Sequence, residues 1–440
     1  MSFITDKQTL DDLNLLGKFK AHSVFSIFNQ TQTTGGERLL DSMFRHPLSD
    51  ADEINRRSSI FRYFQEKALS FPFGKASFSM VENYLGIHGG SSFVVAIAGV
   101  YRKKLGKIAV RDERYDLAHQ GLLATIEMLH ILHSLLQQLG QGDDYPHPEQ
   151  LAPIWRLFAD QRMKWLATTR DVKELTPLQM ARYQHLLLHV FRAEMEIVLE
   201  MIYYLDVCIA VSEVAKRRGF SYAQAVPKEK NVFQTTALSH PGLEKAVANP
   251  LAFDQHRNLL FLTGANMAGK STFMKAFGIA VYMAHMGFPV AAKDMTFSIR
   301  DGLYTSINVP DDLNMGYSHF YAEVLRVKRV AEEVGSTKDL VVIFDELFKG
   351  TNVKDAYDAT LSVTEAFSEY RNCFFIISTH IIEVGEALEK HGDHIRFGYL
   401  PTIMEGVVPR YTYQMKQGIT NDRQGMLIIE NEGIVELLHA

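Results

Sequence analysis

The run Gly264-Ala265-Asn266-Met267-Ala268-Gly269-Lys270-Ser271-Thr272 has the spacing G-x-x-x-x-G-K-S and lies between a strand-like stretch, Asn258 to Thr263, and a helix-like apolar stretch. That order restricts the fold strongly. It calls for a β-strand whose carboxyl end feeds a helix N-terminus through backbone that can approach phosphate oxygens. Successive N–H groups then face the phosphates, Lys270 supplies a point charge and Ser271 offers a hydroxyl to Mg2+. The spacing therefore predicts binding of a nucleoside triphosphate. The alternative is a chance Gly-Lys-Ser turn, against which the flanking strand and helix both argue.

A second constellation lies downstream. Leu340 to Phe344 and Cys373 to Ser378 are continuous apolar runs of strand length, the pattern of buried parallel strands. Asp345-Glu346 follows the first run at its carboxyl end, where ligands of open α/β sheets are found. In phosphoryl transfer one such acid serves the metal and the other the attacking water, so Asp345 is the metal candidate and Glu346 the catalytic one. Thr379-His380 follows the second run in the same position. A neutral imidazole there can hydrogen-bond a γ-phosphate and report its presence, which makes His380 a further candidate.

With 440 residues the chain has room for two or three domains with substantial cores. Two cysteines, Cys208 and Cys373, make no disulfide framework, and a reducing, cytoplasmic setting fits. Neither a leader-like N-terminus nor a membrane-length apolar run is expected, so no membrane partner is. Lys plus Arg number 46 against 51 Asp plus Glu, a formal charge of −5, so any nucleic-acid contact must be a local patch.

Helical periodicity dominates from about Ala21 to Gly219, and strand-like runs alternate with helix-like ones from about Val232 onward. The expected boundaries are an N-terminal extension at 1–20, a helical domain at 21–230 and an α/β domain at 231–440. Ser49-Asp50-Ala51-Asp52 should cap one helix, and Arg114 to Leu139 should form another. From the Thr176 cap and Pro177, a helix is expected to run unbroken to Gly219, a rod of roughly 60 Å if it holds about forty residues. Such a rod suits a lever between distant sites and equally a plain antiparallel bundle. Arg410 to Met415 and Met426 to Glu430 read as further strands.

Three stretches together, Thr263 to Thr272, Asp345-Glu346-Leu347-Phe348-Lys349-Gly350-Thr351 and Ser378-Thr379-His380, resemble the ATPase domain of the MutS mismatch-repair family, with Asn266-Met267 the most specific pair. Gly316-Tyr317-Ser318-His319-Phe320-Tyr321-Ala322-Glu323 is similar to that family's signature stretch. The resemblance implies that Ser318 reaches a partner subunit's γ-phosphate across a dimer of ATPase domains. Thr31 to Leu40, His46-Pro47-Leu48, Ile54 to Arg57, Leu205-Asp206-Val207 and Ser239-His240-Pro241 resemble further landmarks of the family's core domain and beyond. The implied fold is an α-helical lever or core domain followed by an α/β P-loop ATPase domain of ABC type with a mostly parallel sheet. Its implied ligands are ATP and Mg2+, its reaction ATP hydrolysis and its partners a second copy and DNA. The family's N-terminal mismatch-reading domain has no counterpart in this sequence. Ala265 and Ala268 stand where the usual loop has proline and glycine, so position 268 must hold a backbone conformation open to L-residues. Lys245 to Pro250 offers no aromatic to stack on adenine.

His185 with His189, and His130 with His133, have the spacing of zinc pairs but no third ligand, and read as packed or surface residues. Arg102-Lys103-Lys104, Lys107, Arg111, Arg114 and Lys216-Arg217-Arg218 are the basic stretches, open to reading as phosphate contacts or as solvated faces. Two functions follow from these residues. One is a DNA-associated ATPase whose nucleotide state moves the levers. The other is a nucleotide-gated dimeric scaffold that recruits a protein and has little DNA affinity.

Overall fold

The computed structural model describes residues 3–17, 22–87, 92–110, 113–140, 145–170, 172–265, 267–307, 319–390, 394–405, 408–420 and 437. Asn266, Ser318 and the strand expected at Met426 to Glu430 lie outside them. Contacts divide the chain into two compact units, one of Met1–Phe28, Met43–Ser58 and Val214–Ala440, the other of Asn29–Ser42 and Ser59–Glu213. The division falls inside three helices, Thr34–Arg45, Ala51–Lys67 and Arg192–Arg218.

The first unit is built on a six-stranded sheet in the order Lys416–Gln417, Ile395–Tyr399, Leu259–Thr263, Phe374–Ser378, Leu340–Phe344, Gly302–Ser306. Five strands run parallel, and only Lys416–Gln417 is antiparallel to its neighbour. Leu259–Thr263, Leu340–Phe344 and Phe374–Ser378 are buried at every position, as their unbroken apolar runs require. On one face Val327, Val330 and Val334 of the helix His319–Val334 pack with Phe367 and Val384 into a single core with the strands. The helix Lys270–His285 approaches the sheet so closely that a Cβ at Gly278 would stand 3.1 Å from Ile343 Cδ1. A second sheet, in the order Gln224–Val226, Thr296–Ser298, Phe233–Leu238, Asn249–Phe253, joins the same unit through Phe253 stacked on Phe374 at 5.2 Å and Phe233 against Phe277 at 4.9 Å.

The first residues of the chain complete this unit. Ile4 bridges to Gly302 in parallel, its N–H donating to Asp301 O at 2.8 Å and its carbonyl accepting from Leu303 N–H at 2.9 Å. Asp12 Oδ2 accepts from Thr305 Oγ1 at 2.7 Å and from Ile307 N–H at 3.0 Å, and Arg326 pairs with Asp6. Residues expected to form an extension thus cover the edge strand of the sheet.

The second unit is helical. Lys75–Leu85 lies so close to Arg114–Gly140 that a Cβ at Gly121 would meet the Tyr84 ring at 2.8 Å. The helix expected unbroken from Thr176 is interrupted: Pro177–His185 passes into a π-turn at Leu186–Val190, closed by Phe191 N–H to Leu186 O at 2.8 Å, before Arg192–Arg218 resumes. The cause is spacing. Buried Tyr183, Leu187, Phe191 and Met195 recur every four residues, which outruns the 3.6-residue α period, and one wider turn returns them to a common face. At the chain's other end Arg410 to Met415 is not one strand: Val408–Tyr411 pairs with Thr402–Glu405, and the left-handed φ of 56° at Tyr413 stops any continuation.

Candidate functional site

The strand Leu259–Thr263 delivers its carboxyl end to the loop and the helix Lys270–His285 leaves from it, so the candidate phosphate-loop residues are placed by the sheet itself. Gly264 and Gly269 take φ of 141° and 103°, conformations in which a Cβ is strained. Met267 is also left-handed, at 70°, and its side chain is exposed. Between Met267 and Gly269, Ala268 is buried, with its N–H donating to Ala265 O at 3.2 Å. Gly269 is the N-cap of the helix and contributes no side-chain cap, so the first amides are left for another acceptor. Lys270 is buried, its Nζ donating to Gly264 O at 2.7 Å and Ala265 O at 3.2 Å. Burial holds its pKa below the ordinary lysine value, against the opposing pull of Glu346 and Asp345.

The strand Phe374–Ser378 lies between the phosphate-loop strand and the acid-pair strand and ties them together. Ser378 Oγ donates to Asp345 Oδ1 at 2.5 Å and accepts from Glu346 N–H at 3.2 Å, while Ser271 Oγ donates to Asp345 Oδ2. The two expected metal ligands are therefore in direct contact. A hydroxyl and a carboxylate whose oxygens converge form the hard donor set that suits Mg2+. Glu346 and Phe348 are left-handed, at φ of 53° and 60°, a strain of roughly 1–3 kcal/mol each. Hydrogen bonds hold them there: Glu346 N–H to Ser378 O at 3.0 Å and Phe348 N–H to Glu323 Oε1 at 2.6 Å. Glu346 Oε2 stands 3.8 Å from Lys349 Nζ.

These groups open onto a cavity of about 780 Å3 lined by Ala265, Met267, Gly269, Lys270, Ser271, Thr272, Asp345 and Glu346. Gly264, Ala268 and His380 are not among the lining residues, and His380 is exposed at the turn after its strand. Of the other lining residues, Tyr413 is not legible in the sequence as a site residue, and His240 is legible only as a family landmark. Tyr413 faces the cavity with Val247 and His240, and Asn249 fixes its loop by donating to Tyr413 O at 2.9 Å and accepting from Met415 N–H at 2.6 Å. This supplies an aromatic that Lys245 to Pro250 lacks. Nothing local marks it, because Tyr413 reaches the cavity through a contact 164 residues away in the chain. Burial, and then the charge of Lys275, hold the His240 imidazole below its ordinary pKa, and its Nδ1 accepts from Gly242 N–H at 3.1 Å.

Comparison with known families decides the relationship. The family described as MutS domain III matches residues 8–212, and that described as MutS domain V matches residues 260–437. The chain belongs to the MutS family. Among curated relatives, the DNA mismatch repair protein MutS of Listeria innocua serovar 6a is 30% identical over 238 residues, 50% of this chain and 27% of that protein. The protein of the same name from Thermus thermophilus is 34% identical over 181 residues, 41% of this chain and 22% of its own length. The chain thus spans about a quarter of the length of these relatives. Within the MutS match, the loop and the acid pair fall in domain V, whereas His240 and Asn249 reach the cavity from outside either matched stretch.

Proposed function

We propose that this chain is a MutS-like ATP-binding and ATP-hydrolysing protein, with an ABC-type P-loop ATPase unit, acting on or beside DNA. One observation carries the reading: Ser271 and Asp345, 74 residues apart in sequence, touch at the mouth of a cavity that also holds Lys270 and Glu346. Phosphates would lie against the amides at the start of the helix Lys270–His285, and Lys270 would exchange the Gly264 and Ala265 carbonyls for phosphate oxygens. Mg2+ held through Ser271 Oγ and the Asp345 carboxylate would supply neutralisation of phosphate charge. Glu346 would orient the attacking water for in-line displacement, and the loop amides with Lys270 would stabilise charge on the transferred phosphoryl group. His380 is assigned to sensing the γ-phosphate, Ser318 to the partner subunit's nucleotide, and Tyr413 to stacking on the base. ATP would thus join two ATPase units, and the helical units would respond as levers.

Calorimetric titration with MgATP tests this. The wild-type chain should bind one nucleotide per copy, and Lys270→Ala should lose at least about 100-fold in affinity through removal of a buried charged donor. Unchanged affinity in that variant would overturn the assignment of the loop. Retention on duplex or branched DNA that falls steeply with salt supports the DNA-associated reading. Absence of retention at low salt, with and without ATP, leaves the nucleotide-gated scaffold.

A further inference from the structure

The helix Phe93–Val110 of the second unit is apolar on two sides. Val100 and Ala96 are buried, and the helix packs on Pro177–His185 and Arg114–Gly140. Facing away from these, Val94, Tyr101, Leu105 and Ile108 are 72, 47, 65 and 74% exposed, and Ala98 is exposed with them. Their spacing of four, three, four and three residues is the a/d seam of a coiled coil sustained over two heptads, a length of roughly 21 Å. With Ala98 and Leu105 at a, Arg102 falls at an e position and Lys104 at a g position, the places whose charges choose a coiled-coil partner. The helix holds four cations, Arg102, Lys103, Lys104 and Lys107, and no acidic residue. Lys107 is engaged by Asp116 at 2.5 Å, which leaves the e and g cations as the charges bordering the seam.

We propose that Val94, Ala98, Tyr101, Leu105 and Ile108 form a docking seam for an amphipathic helix of a partner protein whose own apolar seam is bordered by Glu or Asp. Charge selects that occupant. A second copy of this helix would bring only cations and apolar residues to the borders, with no anion to meet Arg102 or Lys104. Duplex DNA would pair with the cations and leave Leu105 and Ile108 against a charged groove. An anionic membrane surface takes a broad apolar face, whereas among the described residues this one is an a/d stripe, widened at one end by Phe93 and Val95. The surface stands apart from the nucleotide reading, since none of its residues lines that cavity.

The test uses the full chain and a labelled 21-residue peptide with Leu at a and d and Glu at e and g, followed by fluorescence anisotropy. Saturable binding at roughly micromolar concentration is expected, with at least a tenfold loss in Leu105→Asp/Ile108→Asp and an unchanged circular-dichroism spectrum. Arg102→Glu/Lys104→Glu should reverse the preference toward a peptide with Lys at e and g, a readout that does not depend on the first variant folding. No binding of the acidic peptide, or equal binding of both peptides to the wild-type chain, would overturn the proposal. So would tighter retention by phosphatidylserine vesicles or a 20-base-pair duplex, or self-association that Leu105→Asp/Ile108→Asp abolishes.

Discussion

Two helices of this chain leave their first amides to an acceptor in opposite ways. At the start of Thr34–Arg45 the charge is the protein's own: Asp206 accepts from Gln32 N–H at 3.0 Å and from Thr33 N–H and Oγ1 at 2.8 and 2.7 Å, and Thr33 Oγ1 in turn caps Gly36 N–H at 2.9 Å. No space remains there, since a Cβ on Gly36 would stand 2.5 Å from Asp206 Oδ2 and one on Gly35 would stand 2.3 Å from the Tyr203 ring. At the start of Lys270–His285 no side chain caps the helix, and a cavity of about 780 Å3 opens instead. The same physical demand, amides seeking an acceptor, is met internally where the helix is structural and left to a visitor where it is proposed to work.

The comparison predicts where damage will appear. Largest is Glu346→Gln, in which turnover should fall by about 100- to 10,000-fold while nucleotide still binds, as single-turnover and equilibrium measurements would read separately. Normal turnover would move water activation elsewhere. Next comes Asp206→Ala, which strands buried donors and should cost roughly 3 kcal/mol in urea unfolding while leaving the affinity of the folded protein for ATP unchanged. An equal loss of affinity would erase the distinction between the closed and open helix starts.

The far end of Lys270–His285 offers an effect of similar size, confined to acid pH. His285 is fully buried and neutral there, donating from Nδ1 to Leu48 O at 2.9 Å and accepting Arg300 N–H at Nε2 at 3.3 Å. Burial pulls its pKa down to about 4. Between that value and the unfolded value of about 6.5 the unfolded chain binds the extra proton, so this stability is complete above pH 6.5 and drains away as pH falls toward 4. The loss should reach roughly 3 kcal/mol and be absent from a folded His285→Gln variant, as unfolding curves across that range would show. Smallest is Tyr413→Ala, expected to weaken ATP by about 1 kcal/mol through lost stacking while tripolyphosphate competes as before. Equal weakening of both would remove the tyrosine from the base.

What could be read along the chain was what short-range rules govern. The strand and helix that flank the candidate phosphate loop, the strands ending at Phe344 and Ser378, and the Asp50 cap, which accepts from Glu53 N–H at 2.9 Å, each announce themselves within a few residues. What escaped depends on distance or on tension between patterns. Tyr413 enters the cavity through Asn249, Asp206 closes a helix start 173 residues earlier in the chain, and the four-residue spacing around Leu187 competes with the α-helix and wins one turn. The left-handed Glu346 is likewise invisible in an apolar strand followed by two acids, because Ser378 on the next strand imposes it.

The pairing of Ile4 with Gly302, and of Asp6 with Arg326 320 residues later, sets a timetable for biosynthesis. At roughly 5–20 residues per second the opening segment leaves the ribosome some 15–60 s before its partner strand exists. Until then Ile4 has no edge to join, so the six-stranded sheet can take up this cover only after Gly302–Ser306 has been made.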